Sequence, residues 1–123
     1  MPSADDYANT VNRYLELLAK GSADEITALY TEDATIEDPV GSELRRGRAA
    51  VHEFYAAIEN VDKETELVAL KVAGNEAAFL WRLMVNAGDT RSRIEPISLM
   101  KFDDDAKITA MRALWSPADM TAL

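Results

Sequence analysis

Between Ile58 and Glu64 the spacing of apolar side chains changes from helical to alternating, and this switch limits the chain to helices first and a sheet after. Tyr7, Val11, Tyr14, Leu15 and Leu18 recur at helical spacing through Asp5–Lys20, and Gly21 supplies a stop. Ser22-Ala23-Asp24-Glu25 reads as a capping box opening a short second helix, with Ile26, Leu29 and Tyr30 turned inward. Val51, Phe54, Tyr55 and Ile58 mark a third helix. The alternating segments are Glu64–Ala73, Glu76–Val85, Arg91–Phe102 and Lys107–Trp115, parted by turn signals at Gly74-Asn75, Asn86–Asp89 and Asp103–Asp105. The reading is an α+β domain in which three N-terminal helices cover one face of a curved, mainly antiparallel sheet, with a pocket between the layers. Pro96 cannot donate to a ladder, so it predicts an edge, bulge or bend in its strand.

One short segment carries chemistry into this frame. Ile36-Glu37-Asp38-Pro39-Val40-Gly41 sets two carboxylates at the end of an extended run, Ala34–Asp38, and follows them with turn residues. Strand side chains alternate, so Asp38 shares the inward face of Ile36 and Glu37 faces out. Helical periodicity predicts that Tyr14, Tyr30 and Tyr55 bring one phenol from each helix to the core, where a buried hydroxyl needs a partner. Singly, each reads as a core residue with a satisfied hydroxyl. Three of them beside an inward carboxylate form a candidate polar network at the end of an apolar pocket. Ser98 shares a face with Ile94, Met100 and Phe102, and alone would read as a small residue making a local backbone bond. Glu95 faces the other way. Phe54, Trp81, Met84, Met111 and Trp115 are the candidates to line the pocket, although strand spacing by itself reads such residues mainly as core.

Other chemistries find no support in the sequence. His52, the single histidine, lies off its helix stripe, so no Ser-His-Asp arrangement and no histidine-rich metal site can be assembled around it. Asp103, Asp104 and Asp105 lack the ligand spacing of a calcium loop and read as turn residues. There are no cysteines, which removes disulfides and thiolate ligands and fits a reducing cytoplasm. A net charge of −9 works against nucleic acid and anionic membranes, and Arg45, Arg46 and Arg48 read as a solvated basic loop. The start of the chain does not resemble a signal peptide, and no apolar run reaches membrane-spanning length. The 123 residues, 48% hydrophobic, are expected to form one domain over 1–123 that takes a neutral, apolar ligand.

The motifs EDPVGSE at Glu37–Glu43, with ALYTEDATIEDP leading in, GRAAVHEFY at Gly47–Tyr55, NEAAF at Asn75–Phe79 and MRALW at Met111–Trp115 occur in one order along the chain. In this combination the sequence resembles the bacterial steroid delta-isomerases, or ketosteroid isomerases, along essentially its full length. The resemblance implies a conical α+β fold of the nuclear-transport-factor-2 type (cystatin-like), a homodimer, and a deep apolar pocket for a flat steroid. It implies Asp38 as the general base, Tyr14 as the main oxyanion donor, Tyr30 and Tyr55 as phenols hydrogen-bonded behind it, and a cis bond at Asp38-Pro39. One position departs: where the family reads roughly A-P-I-D, this chain has Glu95-Pro96-Ile97-Ser98. A serine hydroxyl, or a water, then stands where the family keeps a protonated carboxyl.

The activity implied is isomerisation of a 3-oxo-Δ5-steroid to its Δ4 isomer through a dienolate, with no cofactor and no metal. Replacing Ser98 by Asp is then expected to raise turnover. Other enzymes of the same fold, such as a polyketide cyclase, dehydratase or epoxide hydrolase, and a non-catalytic dimer module that binds apolar ligands, are the alternatives.

Overall fold

Ser3 and Asp6 exchange hydrogen bonds at the head of the first helix, Ser3 Oγ accepting from the Asp6 N–H and the Asp6 carboxylate from the Ser3 N–H. This capping box opens α1 (Ala4–Lys20), which buries Tyr7, Val11, Tyr14, Leu15, Leu17 and Leu18 on one stripe. The structure is a computed structural model and describes residues 2–123. Ser22 and Glu25 repeat the device at α2 (Ala23–Thr27). The third helix, α3 (Arg48–Ala56), has no side-chain cap; Gly47 precedes it at φ 94°, a backbone conformation that side chains other than glycine's disfavour.

Eight strands follow the period-two reading closely, with three departures. They are β1 (Tyr30–Glu37), β2 (Arg45–Arg46), β3 (Asp62–Ala73), β4 (Glu76–Ala87), β5 (Thr90–Ile94), β6 (Ile97–Phe102), β7 (Ile108–Leu114) and β8 (Met120–Ala122). The sheet order is β2-β1-β7-β6-β4-β5-β8, with β3 on the other edge of β4. The β1–β7 pair is parallel and the remaining pairs are antiparallel, so the sheet is open and mixed.

The first departure is Tyr30, expected on the second helix, which instead begins β1 and pairs with Ile108. α2 closes after five residues, and the next backbone donors and acceptors go to the sheet: the Leu29 carbonyl accepts from the Ile108 N–H at 2.8 Å. The second is the split of Arg91–Phe102 at Glu95-Pro96 into β5 and β6. Both pair with the single long strand β4, β5 against Leu83–Ala87 and β6 against Glu76–Leu80, and the Trp81 N–H reaches the Pro96 carbonyl across the break at 3.2 Å. The third is the pair of short strands, β2 and β8, and the 3-10 turn at Pro117–Asp119, too brief to carry a period. Asp103 behaves as the turn residue expected, its Oδ1 accepting from the Asp105 and Lys107 N–H groups.

The core lies between the helices and the inner face of the sheet. Tyr7, Val11, Tyr14 and Leu18 from α1 and Val51 and Tyr55 from α3 pack with Ile36, Phe79, Met100, Phe102 and Met111 from the strands.

Candidate active site

Asp38 owes its position to β1. The inward positions of this strand, Ala34 and Ile36, are both 0% exposed, and Asp38 continues the same parity one residue beyond the strand end. The Asp38–Pro39 bond is cis. The Val40 N–H donates to the Ala113 carbonyl at 2.8 Å, tying the turn to β7. Glu37 faces out, where its carboxylate accepts from Arg112 Nε at 2.9 Å and from the Gly41 N–H at 3.2 Å. The two acids of the segment thus have separate fates.

The Asp38 side chain enters an apolar cavity of about 240 Å³ walled by Phe54, Ile58, Trp81, Leu83, Ile94, Pro96, Ala113 and Trp115. Trp115 Nε1 donates to Asp38 Oδ1 at 2.7 Å. Burial raises the Asp38 pKa above the ordinary carboxylate value, because an apolar wall disfavours the charge; the Trp115 hydrogen bond and the nearby Arg45 guanidinium oppose that rise. The outcome is a carboxylate that is a stronger base than one in water. Arg45 also lies over the Phe54 ring, 5.2 Å from its centroid.

Three phenols form a hydrogen-bonded chain beside the cavity. Tyr30 and Tyr55 share a short hydrogen bond, and the Tyr55 hydroxyl donates to that of Tyr14 at 3.0 Å. Each hydroxyl has one proton. Since Tyr55 gives its own to Tyr14, Tyr30 supplies the proton between itself and Tyr55, and the Tyr14 proton is left for another acceptor. All three are buried, and burial holds their pKa values well above that of a free phenol. Phe54 connects this chain to the cavity: it lines the cavity and meets Tyr55 edge-on at 5.0 Å, while Tyr14 meets Tyr55 edge-on at 6.0 Å. Burial is the largest cause of the raised Tyr14 pKa, and the Asp38 charge adds to it.

Ser98 is 1% exposed on β6, and its Oγ accepts from Trp81 Nε1 at 2.9 Å. Of the residues expected to line the pocket, Phe54, Trp81 and Trp115 do so. Met84 stands on the opposite face of β4 from Trp81 and Leu83, because consecutive strand residues alternate; Met111 is packed into the core under β1, paired with Ile36. Ile58, Leu83, Ile94, Pro96 and Ala113 line the cavity without having been singled out. Leu83 could have been found by counting two residues on from Trp81, and Ile58 from its place on the α3 stripe. His52 is half-exposed and faces Asp24, with Nε2 2.7 Å from Asp24 Oδ1, away from this cavity. Glu95 turns to the outer face and accepts from Arg82.

A three-helix layer over an open mixed sheet is the architecture of the nuclear-transport-factor-2-like proteins. The chain belongs to the SnoaL-like family of that fold, whose domain model matches residues 11–111. The steroid Delta-isomerase of Nocardioides simplex is 51% identical over 110 residues, covering 89% of each chain. Among solved structures, the epoxide hydrolase/cyclase-like enzyme SalBIII, with a role in pyran ring formation in the polyether salinomycin, superposes with a TM-score of 0.93 at 27% identity over 100% of both chains. RV0760c from Mycobacterium tuberculosis superposes with a TM-score of 0.89 at 19% identity, again over 100% of both chains, which is a likeness of fold. No helix among the described residues is long and apolar enough to cross a membrane.

Proposed function

We propose that this protein is a steroid Δ5-isomerase, converting 3-oxo-Δ5-steroids to their 3-oxo-Δ4 isomers by intramolecular proton transfer. The observation that carries the reading is the Asp38 carboxylate held by Trp115 inside an apolar cavity, whose wall residue Phe54 packs on the phenol chain that ends at Tyr14. The 51% identity to a steroid Delta-isomerase supports the same reaction.

Asp38 removes a proton from the carbon alpha to the ketone, and the electron pair moves onto the carbonyl oxygen to form a dienolate. The same carboxyl returns the proton two carbons further on, which leaves the double bond conjugated with the ketone and the base regenerated. No proton or electron is gained overall, so the reaction consumes no cofactor. A carboxylate is a weak base for such a proton, and the difference is made up by stabilising the dienolate oxygen. Tyr14 donates to that oxygen, with Tyr55 and Tyr30 polarising its hydroxyl from behind. Ser98 is the second donor. A well-aimed donor of this kind contributes on the order of a hundredfold to a thousandfold in rate.

Phe54, Trp81 and Trp115 form hydrocarbon walls for a flat, apolar ligand, with the sheet curving around it as a cone. The single domain works as a cytoplasmic homodimer. Support for dimerisation comes from the outer sheet face, where the paired residues Ile97 and Leu114 are 46% and 44% exposed.

The test is an ultraviolet assay with a Δ5-3-ketosteroid, in which the conjugated enone appears as new absorbance; no change at micromolar enzyme would reject the reading. The likeness to SalBIII favours epoxide opening or ring closure as the second reading. Asp38 is the only acid lining the cavity among the described residues, and acid–base opening of an epoxide usually engages a second group. Turnover of an epoxide in place of the steroid would select it.

A further inference from the structure

The bond between Trp81 and Ser98 places two groups on the inner face of the sheet in an unequal relation. An indole N–H can only donate, so Ser98 Oγ must accept. A hydroxyl has one proton, and Ser98 makes no other side-chain hydrogen bond among the described residues, so that proton is not committed to another side chain; Ser98 itself lies behind the residues that line the cavity, next to Trp81, which does line it. Both side chains are buried, at 4% and 1% exposure. Strand register makes the contact: Ser98 on β6 pairs with Phe79 on β4, and Trp81 is the next inward position along β4. The Trp81 backbone is itself clamped by its N–H bond to the Pro96 carbonyl. Trp81 also lines the cavity that holds Asp38, so its ring spans from Ser98 to the ligand space.

We propose that Trp81 is a positioning residue for Ser98: its indole N–H occupies the serine oxygen as acceptor and so leaves the hydroxyl as a donor to an oxyanion in the cavity. This rests on the isomerase reading and extends it to why position 98 holds serine. A donor beside a carboxyl favours the ionised form, which cannot donate to an oxyanion, whereas a serine hydroxyl keeps its proton at every working pH. With Trp81 in place, Ser98→Asp alone does not gain the rate expected of a neutral acid, so the rise in turnover expected from the sequence for this substitution requires the Trp81 donor to be removed as well. Trp81→Phe together with Ser98→Asp does.

The titratable groups on this inner side are Asp38, Lys63 on β3, whose ammonium donates to the Val61 carbonyl, and the phenols of Tyr7, Tyr14, Tyr30 and Tyr55; the residues paired with Ser98, Phe79 and Ala113, do not titrate. Asp38 produces loss of rate at low pH. A carboxyl introduced at position 98 produces the reverse, loss of rate as pH rises and it ionises, so the two limbs are separable.

Two measurements test the proposal. First, kcat and the affinity for 2-naphtholate, an oxyanion mimic that needs no turnover, are measured for the unaltered protein, Trp81→Phe, Ser98→Ala and the double variant. Loss of one orienting hydrogen bond predicts that Trp81→Phe costs about fivefold in both readouts when Ser98 is present and little when it is Ala. Equal costs in the two backgrounds, or no cost in either, overturn the proposal. Second, the basic limb of kcat in Ser98→Asp should move up by about one pH unit or more on adding Trp81→Phe, one unit being the tenfold change expected for removing a charge-stabilising donor. An unmoved limb overturns it. A protein that binds the naphtholate with this coupling but isomerises no steroid would reject the proposed activity and leave the Trp81–Ser98 relation standing.

Discussion

Trp115 Nε1 stands 2.7 Å from Asp38 Oδ1, and this bond joins residues 77 apart in the chain. It follows from the one parallel pairing in the sheet. β1 and β7 run side by side with Glu37 opposite Arg112, so the segments just past their ends, carrying Asp38 and Trp115, emerge together at the cavity. The indole donor holds one oxygen of the carboxylate and steadies its charge, while the apolar walls raise its basicity.

Removing that donor should therefore move a pH profile in a defined direction. The acid limb of kcat/KM reports Asp38 and lies above the ordinary carboxylate value, because burial outweighs the opposing bonds. Trp115→Phe withdraws a bond that favours the ionised form, so the limb should shift to higher pH. A shift to lower pH would contradict this account.

Asp38→Asn should cut isomerisation by at least about a thousandfold, the scale of losing the group that moves the proton. Steroid binding, followed by fluorescence quenching, should persist because the walls are unchanged. The variant should also melt at a higher temperature at neutral pH. The raised pKa means that the folded state holds the Asp38 proton more tightly than the unfolded chain does. Stability from this group is present below the unfolded pKa and is lost as pH rises through the folded one. A neutral amide avoids that loss, so the gain should disappear in acid.

The phenol chain predicts graded effects. Tyr14→Phe should lower kcat by about a hundredfold to a thousandfold, since it removes an oxyanion donor. Tyr55→Phe removes a bond to that donor and should cost about tenfold, and Tyr30→Phe, one bond further away, less again. Stopped assays of the three variants at one pH check the order, and equal losses would argue against a chain acting through Tyr14.

Ser22→Ala should lower stability without touching the chemistry. Ser22 Oγ accepts from the Glu25 N–H at the start of α2, and the Glu25 carboxylate accepts from the Ser22 N–H. Losing a helix cap costs about 1 kcal/mol, measurable in urea, while kcat should stay within error.

Much of this arrangement is legible in the sequence. The α1 stripe needs only the 3.6-residue period, and the Ser22–Glu25 capping box needs only spacing; the Ser3–Asp6 box follows the same spacing. Parity along Ala34–Asp38 sent Asp38 inward and Glu37 outward, as their partners Trp115 and Arg112 attest. Met84 shows the limit of composition: a large apolar residue beside a pocket strand still faces away if its parity is wrong. Tyr30 shows the limit of helical periodicity, since five residues complete too little of a turn pattern to say where a helix stops and a strand begins.

The amino-acid order by itself determined the element types, the buried stripes and the inward aim of Asp38, because each follows from local periods that every short segment carries. Only the tertiary structure decided that β1 lies parallel to β7, that Trp115 holds Asp38, and that Trp81 donates to Ser98. Those pairings depend on strand order and register between segments far apart in the chain, and no local period encodes which remote side chain arrives opposite.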